Sequence, residues 1–176
     1  MKYHNILKDD MRNGDGLRAV LFVSGCNHYC KGCQNPVTWD ANDGVEFDSK
    51  AQSELFGYVA QDYCAGMTLS GGDPLYPGNR NDITALCYAF RERFGDTKTI
   101  WLYTGYKFEE IMSEPVVQLV DVIVDGEFKE ELANVHYEWA GSTNQTIWRK
   151  KDGFWYASES YADTLNDNAR NTCDTQ

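Results

Sequence analysis

The sequence is short of positive charge, and this shortage excludes one class of partner. Lys and Arg together number 16 against 27 Asp and Glu, which gives a formal net charge of −11. Proteins that bind nucleic acid neutralise its phosphates with basic residues, so we expect no nucleic-acid partner. Small anionic ligands are not excluded, since they need only a local positive field.

Long apolar runs are also missing. The longest strongly apolar run covers residues 19–23, whereas a membrane span needs about 18 apolar residues. Residues 1–5 contain no apolar signal-peptide core. The sequence therefore predicts no membrane association and a cytoplasmic location. Thiols stay reduced there, so clustered cysteines indicate metal or redox sites before disulfides.

The pattern of strands and helices predicts an α/β fold with a mostly parallel sheet. The 176 residues fit one domain, and 42% hydrophobic with 24% charged residues is typical of a globular protein. We predict strands over 18–24, 66–70, 99–103 and 120–124, alternating with helices over 49–63, 82–94 and 108–112. Ser49 is the predicted N-cap of the first helix, with Gln52 completing a capping box.

Beyond residue 150 the chain turns polar. We predict a domain over 1–150 and a polar C-terminal extension over 151–176, of which 163–176 has the composition of a disordered tail.

Four conspicuous loops follow the predicted strands: from Gly25 onward, at 70–74, at 104–105 and at 125–126. Ligands of parallel sheets bind beyond the carboxyl ends of the strands. The four loops are therefore expected to share one site.

Three cysteines, Cys26, Cys30 and Cys33, form a Cys-x3-Cys-x2-Cys motif in the first of these loops. A [4Fe–4S] cluster usually takes four thiolates, so three leave one iron open for catalysis. A zinc site completed by another Cys or by His28 is one alternative, and buried apolar thiols are another. A closed structural zinc site needs four ligands, and no fourth ligand is near in the sequence.

The segment Ser70-Gly71-Gly72-Asp73 ends the second predicted strand. Its glycines allow the backbone to approach a ligand closely, and its carbonyls can accept from an ammonium group. Asp73 is expected to orient the turn or to face the cation. The alternative is an ordinary strand-ending turn before Pro74.

Together with the cysteine motif, several further stretches resemble one family of the radical S-adenosylmethionine enzymes. The chain is similar to the activating enzymes of anaerobic (class III) ribonucleoside-triphosphate reductases. The stretches that carry the resemblance, in order, are 13–18, 21–26, 30–35, 38–39, 69–75, 101–106, 124–126 and 141–145. Asp15 and Gln34 depart from the family pattern, which has Pro and often an aromatic residue there.

This resemblance implies an open, partial (β/α) barrel of the radical S-adenosylmethionine type. It implies a [4Fe–4S] cluster on Cys26, Cys30 and Cys33, with S-adenosylmethionine on the open iron. The implied cofactor-binding residues are Gly32, Cys33 and Gln34 near the adenosine, and Ser70, Gly71, Gly72 and Asp73 near the methionyl amine. No side-chain acid or base is required, because cluster and cofactor carry the chemistry.

The resemblance also implies the reaction and its partners. Reductive cleavage of S-adenosylmethionine gives a 5′-deoxyadenosyl radical, which generates a glycyl radical on the large catalytic subunit of the reductase. An electron donor such as flavodoxin is implied as well. Two alternatives remain: an activase of the pyruvate formate-lyase type, or a non-enzymatic iron–sulfur or zinc protein.

Overall fold

A computed structural model describes residues 1–158 of the chain, and the predicted tail at 163–176 lies outside them. The described part contains eight strands and three α-helices. In chain order these are β1 (Lys2–Asp10), β2 (Leu17–Val23), β3 (Val45–Glu46), α1 (Ser49–Val59), β4 (Cys64–Gly71), α2 (Arg80–Phe94), β5 (Thr99–Tyr103), α3 (Phe108–Ile111), β6 (Val122–Asp125), β7 (Thr146–Lys151) and β8 (Phe154–Ala157). Short 3-10 helices cover Pro36–Thr38, Pro115–Gln118 and Glu130–Leu132.

All eight strands form one sheet in the order β3-β1-β2-β4-β5-β6-β7-β8. The four central strands β2, β4, β5 and β6 are parallel. Strands β1 and β7 run in the opposite direction, and the outer strands β3 and β8 pair antiparallel to them. Six of the eight strands therefore point the same way, which confirms the α/β class with a mostly parallel sheet. The sheet is not closed within residues 1–158, because β3 and β8 form its two edges.

The main core lies between the sheet and the helices. Side chains alternate between the two faces of a strand, and Leu21, Leu69 and Leu102 from three adjacent strands are fully buried in this core. Helices α1 and α2 cover that face with apolar residues that include Leu55 and Phe90. This packing fixes the central strands and therefore the loops at their carboxyl ends.

The opposite face of the sheet carries a buried cation. Arg18 is fully buried, and its guanidinium donates to Thr68 Oγ1, Thr99 Oγ1 and the backbone oxygens of residues 15, 67 and 99. Burial lowers the pKa of Arg18 to about 10. The guanidinium carbon also lies 5.5 Å from the ring centroid of Trp101. These contacts fill the space on the amino-terminal part of this face. The site can therefore form only at the carboxyl ends of the strands.

Several features of the fold differ from the sequence prediction. Helix α1 ends at Val59 and not at residue 63. Helix α1 is capped by Asp48, whose carboxylate accepts from the backbone of Lys50 and Ala51, so the capping box at Ser49 and Gln52 was wrong. Helix α2 begins at Arg80 after Asn79, two residues before the predicted start. The outer strands β1, β3, β7 and β8 were not predicted.

The predicted domain boundary at residue 150 falls inside β7. The hairpin of β7 and β8 continues the sheet to Ala157, and Trp155 packs against Phe108 at 5.6 Å between ring centroids. The described part of the extension is therefore part of the same sheet. In the described part of the chain, no helix is long and apolar enough to cross a membrane.

Candidate active site

The loops that follow β2, β4, β5 and β6 meet around one cavity of about 160 Å³. Its lining includes Cys26, Cys30 and Cys33 from the first loop and residues 70–73 from the second. Thr104 and Gly105 come from the third loop, and residues 126–128 from the fourth. These four strands are parallel, so the loops at their carboxyl ends all lie at the same end of the sheet.

The cysteine loop is wound tightly around its three thiols. Gly25, Tyr29 and Gly32 have φ angles of 101°, 49° and 72°. The left-handed region is unusual for a non-glycine residue such as Tyr29. Cys26 is buried, whereas Cys30 and Cys33 are half-buried and face the cavity. The loop therefore presents three sulfurs towards a common space.

Backbone N–H groups lie near each of the three sulfurs. Burial raises the pKa of the Cys26 thiol, while hydrogen bonds from the backbone of His28 and Tyr29 act in the opposite direction. Burial likewise raises the pKa of the Cys30 thiol, against a backbone hydrogen bond from Phe128. The amide of Asn35 lies 3.4 Å from Cys33 Sγ. Such N–H groups stabilise thiolate sulfur, so this donor set fits an iron–sulfur cluster.

The geometry of the cysteines does not match a single metal ion. Among residues 1–158, no group of three or more His, Cys, Asp or Glu side chains is arranged to hold one ion. Cys64 and Cys87 are buried in the body of the protein and line neither the cysteine loop nor its cavity. A [4Fe–4S] cluster does not require its ligands to surround one atom, because each thiolate binds a different iron.

The glycines of the 70–73 segment pack against backbone. A Cβ on Gly72 would lie 2.4 Å from the carbonyl oxygen of Gly25, and a Cβ on Gly71 would lie 2.5 Å from the nitrogen of Val23. The amides of Gly72 and Asp73 donate to the carbonyls of Val23 (2.8 Å) and Gly25 (2.7 Å). These glycines therefore let the segment lie directly on the start of the cysteine loop.

Asp73 is a buried carboxylate that joins several loops. Its Oδ1 accepts from the backbone amide of Leu75 at 2.7 Å, and Thr104 Oγ1 lies 3.0 Å from both carboxylate oxygens. Its Oδ2 accepts from the amide of Gly105 at 3.0 Å. This arrangement favours the turn-orienting role for Asp73 over direct contact with a cation.

His28, between the first two cysteines, also contacts Asp73. Its Nε2 lies 2.8 Å from Asp73 Oδ2, and its Nδ1 lies 3.0 Å from Glu127 Oε1. The hydrogen bond to Asp73 raises the pKa of His28, while burial lowers it. The sequence interpretation considered His28 as a fourth ligand of a zinc site and otherwise assigned its ring to packing. Its position between two cysteines of the motif was the one signal that could have indicated a larger role.

Most of the residues predicted from the sequence line the cavity. Those in its lining are Cys26, Cys30, Cys33, Gln34, Ser70, Gly71, Gly72 and Asp73. Gly32 is not in the lining, and a Cβ there would lie 3.0 Å from Glu130 Oε1. Gly32 therefore lets the cysteine loop pack closely against the 3-10 helix at Glu130–Leu132.

The sequence interpretation missed several lining residues far from the motifs. Glu127 and Phe128 line the cavity, as do Asn13 and Gln145, which were noted only as part of the family resemblance. The Gln145 amide donates to Gly126 O at 2.9 Å and accepts from the amide of Gly141 at 2.9 Å. The Gln145 side chain therefore ties the loop after β6 to the backbone of Gly141 beside the cavity.

A second cavity of about 370 Å³ adjoins the first. Asn13, Gln34, Tyr103 and Gly141 line both cavities. Arg12, Glu138 and several residues of the 135–141 segment complete the second one. The candidate site therefore extends beyond the cysteines towards this segment.

Comparison with known proteins gives consistent matches over most of the chain. A family described as "4Fe-4S single cluster domain" matches residues 12–148. The anaerobic ribonucleoside-triphosphate reductase-activating protein of Enterobacteria phage T4 is 45% identical over 155 residues, covering 88% of this chain and 98% of that protein. The proteins of the same name from Escherichia coli K12 and Vibrio cholerae are 40% and 38% identical over 151 and 153 residues. They cover 84% and 85% of this chain and 97% and 98% of their own lengths. By this extent of similarity, the chain belongs to the family of anaerobic ribonucleoside-triphosphate reductase-activating proteins.

Proposed function

We propose that this protein activates an anaerobic ribonucleoside-triphosphate reductase by generating a glycyl radical on its large catalytic subunit. The observation that carries the proposal is the convergence of three cysteines and the 70–73 segment on one cavity. The names of the relatives supply the target, since those proteins are activating proteins of that reductase.

In this proposal Cys26, Cys30 and Cys33 hold a [4Fe–4S] cluster, and the 70–73 segment with Gln34 and Cys33 holds S-adenosylmethionine. When bound, the cluster and cofactor supply reductive cleavage of the C5′–S bond, which gives methionine and a 5′-deoxyadenosyl radical able to take hydrogen from a glycine Cα. The protein's part is to bind and orient these groups and to exclude water.

The backbone carbonyl of Gly72 is the proposed acceptor for the methionyl amine. Gly72 lines the cavity, and its carbonyl accepts no hydrogen bond from the other residues of the described chain. A carbonyl without a protein donor needs another partner, and an ammonium group in the cavity would provide one. Asp73 supports the same segment from beneath through its bonds to Leu75 and Gly105.

We further propose that the open sheet is a partial (β/α) barrel of the radical S-adenosylmethionine type. The reductase would then cover the open side and complete the exclusion of water. A small reduced carrier such as flavodoxin is the proposed electron donor. The cytoplasm is the proposed location, because cluster ligands must stay reduced.

The test is electron paramagnetic resonance on an anaerobic mixture of this protein, its cognate reductase, S-adenosylmethionine and a strong reductant. A glycyl doublet should appear only with all components and disappear when the reductase glycine is changed to Ala. If S-adenosylmethionine is cleaved but the reductase never gains a radical, the substrate assignment is wrong. A radical on a pyruvate formate-lyase instead would favour the alternative activase.

The cluster ligands have a test of their own. Cys30→Ala should bind less than one tenth of the iron of the unchanged protein after anaerobic reconstitution, because a ligand at the cavity is lost. Cys87→Ala is the matched control, since Cys87 is fully buried in the main core and should leave iron content unchanged. Equal iron in both variants would contradict the ligand assignment, and a stoichiometric zinc content would favour the zinc alternative.

A further inference from the structure

His28 joins the loops around the cavity through both nitrogens of its ring. Nε2 lies 2.8 Å from Asp73 Oδ2, at the end of β4, and Nδ1 lies 3.0 Å from Glu127 Oε1, after β6. The side chain is 10% exposed. A single ring thus connects the cysteine loop to two other loops of the site.

The orientation of the ring is fixed by packing as well. A Cβ on Gly105 would lie 2.4 Å from His28 Cδ2, so the ring rests directly on the backbone after β5. Tyr106 packs edge-on against the ring at 4.7 Å between centroids. The Tyr106 hydroxyl is 3.1 Å from Asn27 Nδ2, which holds the neighbouring residue of the cysteine loop. The ring therefore has little freedom to rotate.

Asp73 connects its hydrogen bond with His28 to other parts of the site. The same carboxylate accepts from the amides of Leu75 and Gly105 and from Thr104. The hydrogen bond from His28 therefore ties the cysteine loop to a carboxylate that already fixes the 70–73 segment. The segment and the loop are also joined near their starts, by the amide of Asp73 on Gly25 O.

We propose that His28 is a positioning residue that sets the distance between the cysteine loop and the 70–73 segment. This proposal rests on the proposed function of the cavity, in which the loop holds the cluster and the segment holds S-adenosylmethionine. One ligand bridging two parts of a site needs both parts placed to within about 0.5 Å. Loss of the His28–Asp73 contact should therefore weaken cofactor binding while leaving the three cysteines able to hold the cluster.

Three substitutions separate positioning from general stability. His28→Phe keeps a packed ring but removes both hydrogen bonds. His28→Gln places an amide nitrogen near the position of Nε2 and can still donate to Asp73, whereas His28→Asn places one near Nδ1 and reaches only towards Glu127. His136→Phe is the matched control, since His136 is exposed and its only hydrogen bond in the described chain is made by its backbone.

The experiment uses the full chain, reconstituted anaerobically, with no reductase present. The readouts are iron and sulfide content, and the change in the electron paramagnetic resonance spectrum of the reduced protein as S-adenosylmethionine is titrated. We expect full iron content in all four variants. The half-saturating cofactor concentration should rise at least tenfold in His28→Phe and His28→Asn, and should stay within threefold in His28→Gln and His136→Phe.

Two results would overturn the proposal. Unchanged cofactor affinity in His28→Phe would show that the contact positions nothing. Loss of the cluster in all three His28 variants, with His28→Gln no better than the others, would assign the ring a purely structural role. A wrong reductase assignment would leave these measurements unaffected, so the two failures are distinguishable.

Discussion

Replacing Gly72 with alanine tests how the 70–73 segment is held in place. The added Cβ would lie 2.4 Å from Gly25 O and 2.8 Å from Thr38 O. Ordinary van der Waals contact begins near 3.4 Å, and 3.4 − 2.4 = 1.0 Å, so the cysteine loop must move by about 1 Å. Neither neighbour is a flexible side chain, since both are backbone carbonyls.

The cost of that movement follows from the adjoining bonds. Overpacking costs about 1–3 kcal/mol, and each of the amide bonds from Gly72 to Val23 and from Asp73 to Gly25 contributes about 1 kcal/mol. We expect Gly72→Ala to lower the free energy of unfolding by roughly 2–4 kcal/mol. Iron uptake should fall with it, because Gly25 directly precedes Cys26, the first of the proposed cluster ligands.

The assay is urea denaturation of the metal-free, reduced protein, followed by iron analysis after reconstitution. Gly57→Ala is the control: nothing lies within 4 Å of the added Cβ, and alanine in a helix interior should stabilise the protein by about 0.5–1 kcal/mol. If Gly72→Ala unfolds at the same urea concentration as the unchanged protein and binds the same iron, the backbone contact is not as described. A loss of cofactor affinity alone would place the methyl group against the cofactor instead.

Two further predictions concern stability and use urea denaturation of the metal-free protein. Arg18→Met should cost on the order of 3 kcal/mol or more, because several buried acceptors lose their donor. Arg149→Met, which removes a part-exposed ion pair with Asp15, should cost less than about 1 kcal/mol; equal effects would contradict the burial argument. Asp48→Ala should cost about 1 kcal/mol through loss of the helix cap, whereas Ser49→Ala should be near neutral. The reverse order would restore Ser49 as the cap.

The parallel centre of the fold could be predicted because its strands carry a strong local signal. Runs such as 18–24 and 99–103 are apolar and β-branched, and each is followed by a turn. The outer strands could not be predicted in this way. Strand β1 is half-exposed along most of its length, and β8 exposes Phe154 and Tyr156, so neither shows the alternation that marks a half-buried strand.

The candidate site could be predicted where its residues lie close together in the sequence. The cysteine motif and the 70–73 segment are of this kind. The physical reason for the glycines was not predictable, because the backbone that Gly72 meets belongs to Gly25, distant in the sequence. The same holds for His28, whose partners Asp73 and Glu127 lie 45 and 99 residues away.

The outer antiparallel strands have a practical consequence for attaching labels. Strand β1 starts beside the carboxyl end of β2, where Lys2 O accepts from the amide of Ser24, two residues before Cys26. At the other edge, the amide of Ser158 donates to Ile147 O, close to where Thr146 meets Asp125. The start of β1 and the end of β8 therefore lie at the same end of the sheet as the cavity, and a bulky group attached beside the start of β1 would compete with the proposed docking of the reductase. The exposed Asp96, in the turn between α2 and β5, lies at the opposite end. An affinity peptide inserted there should attach the protein to a support with its cavity facing away from that support.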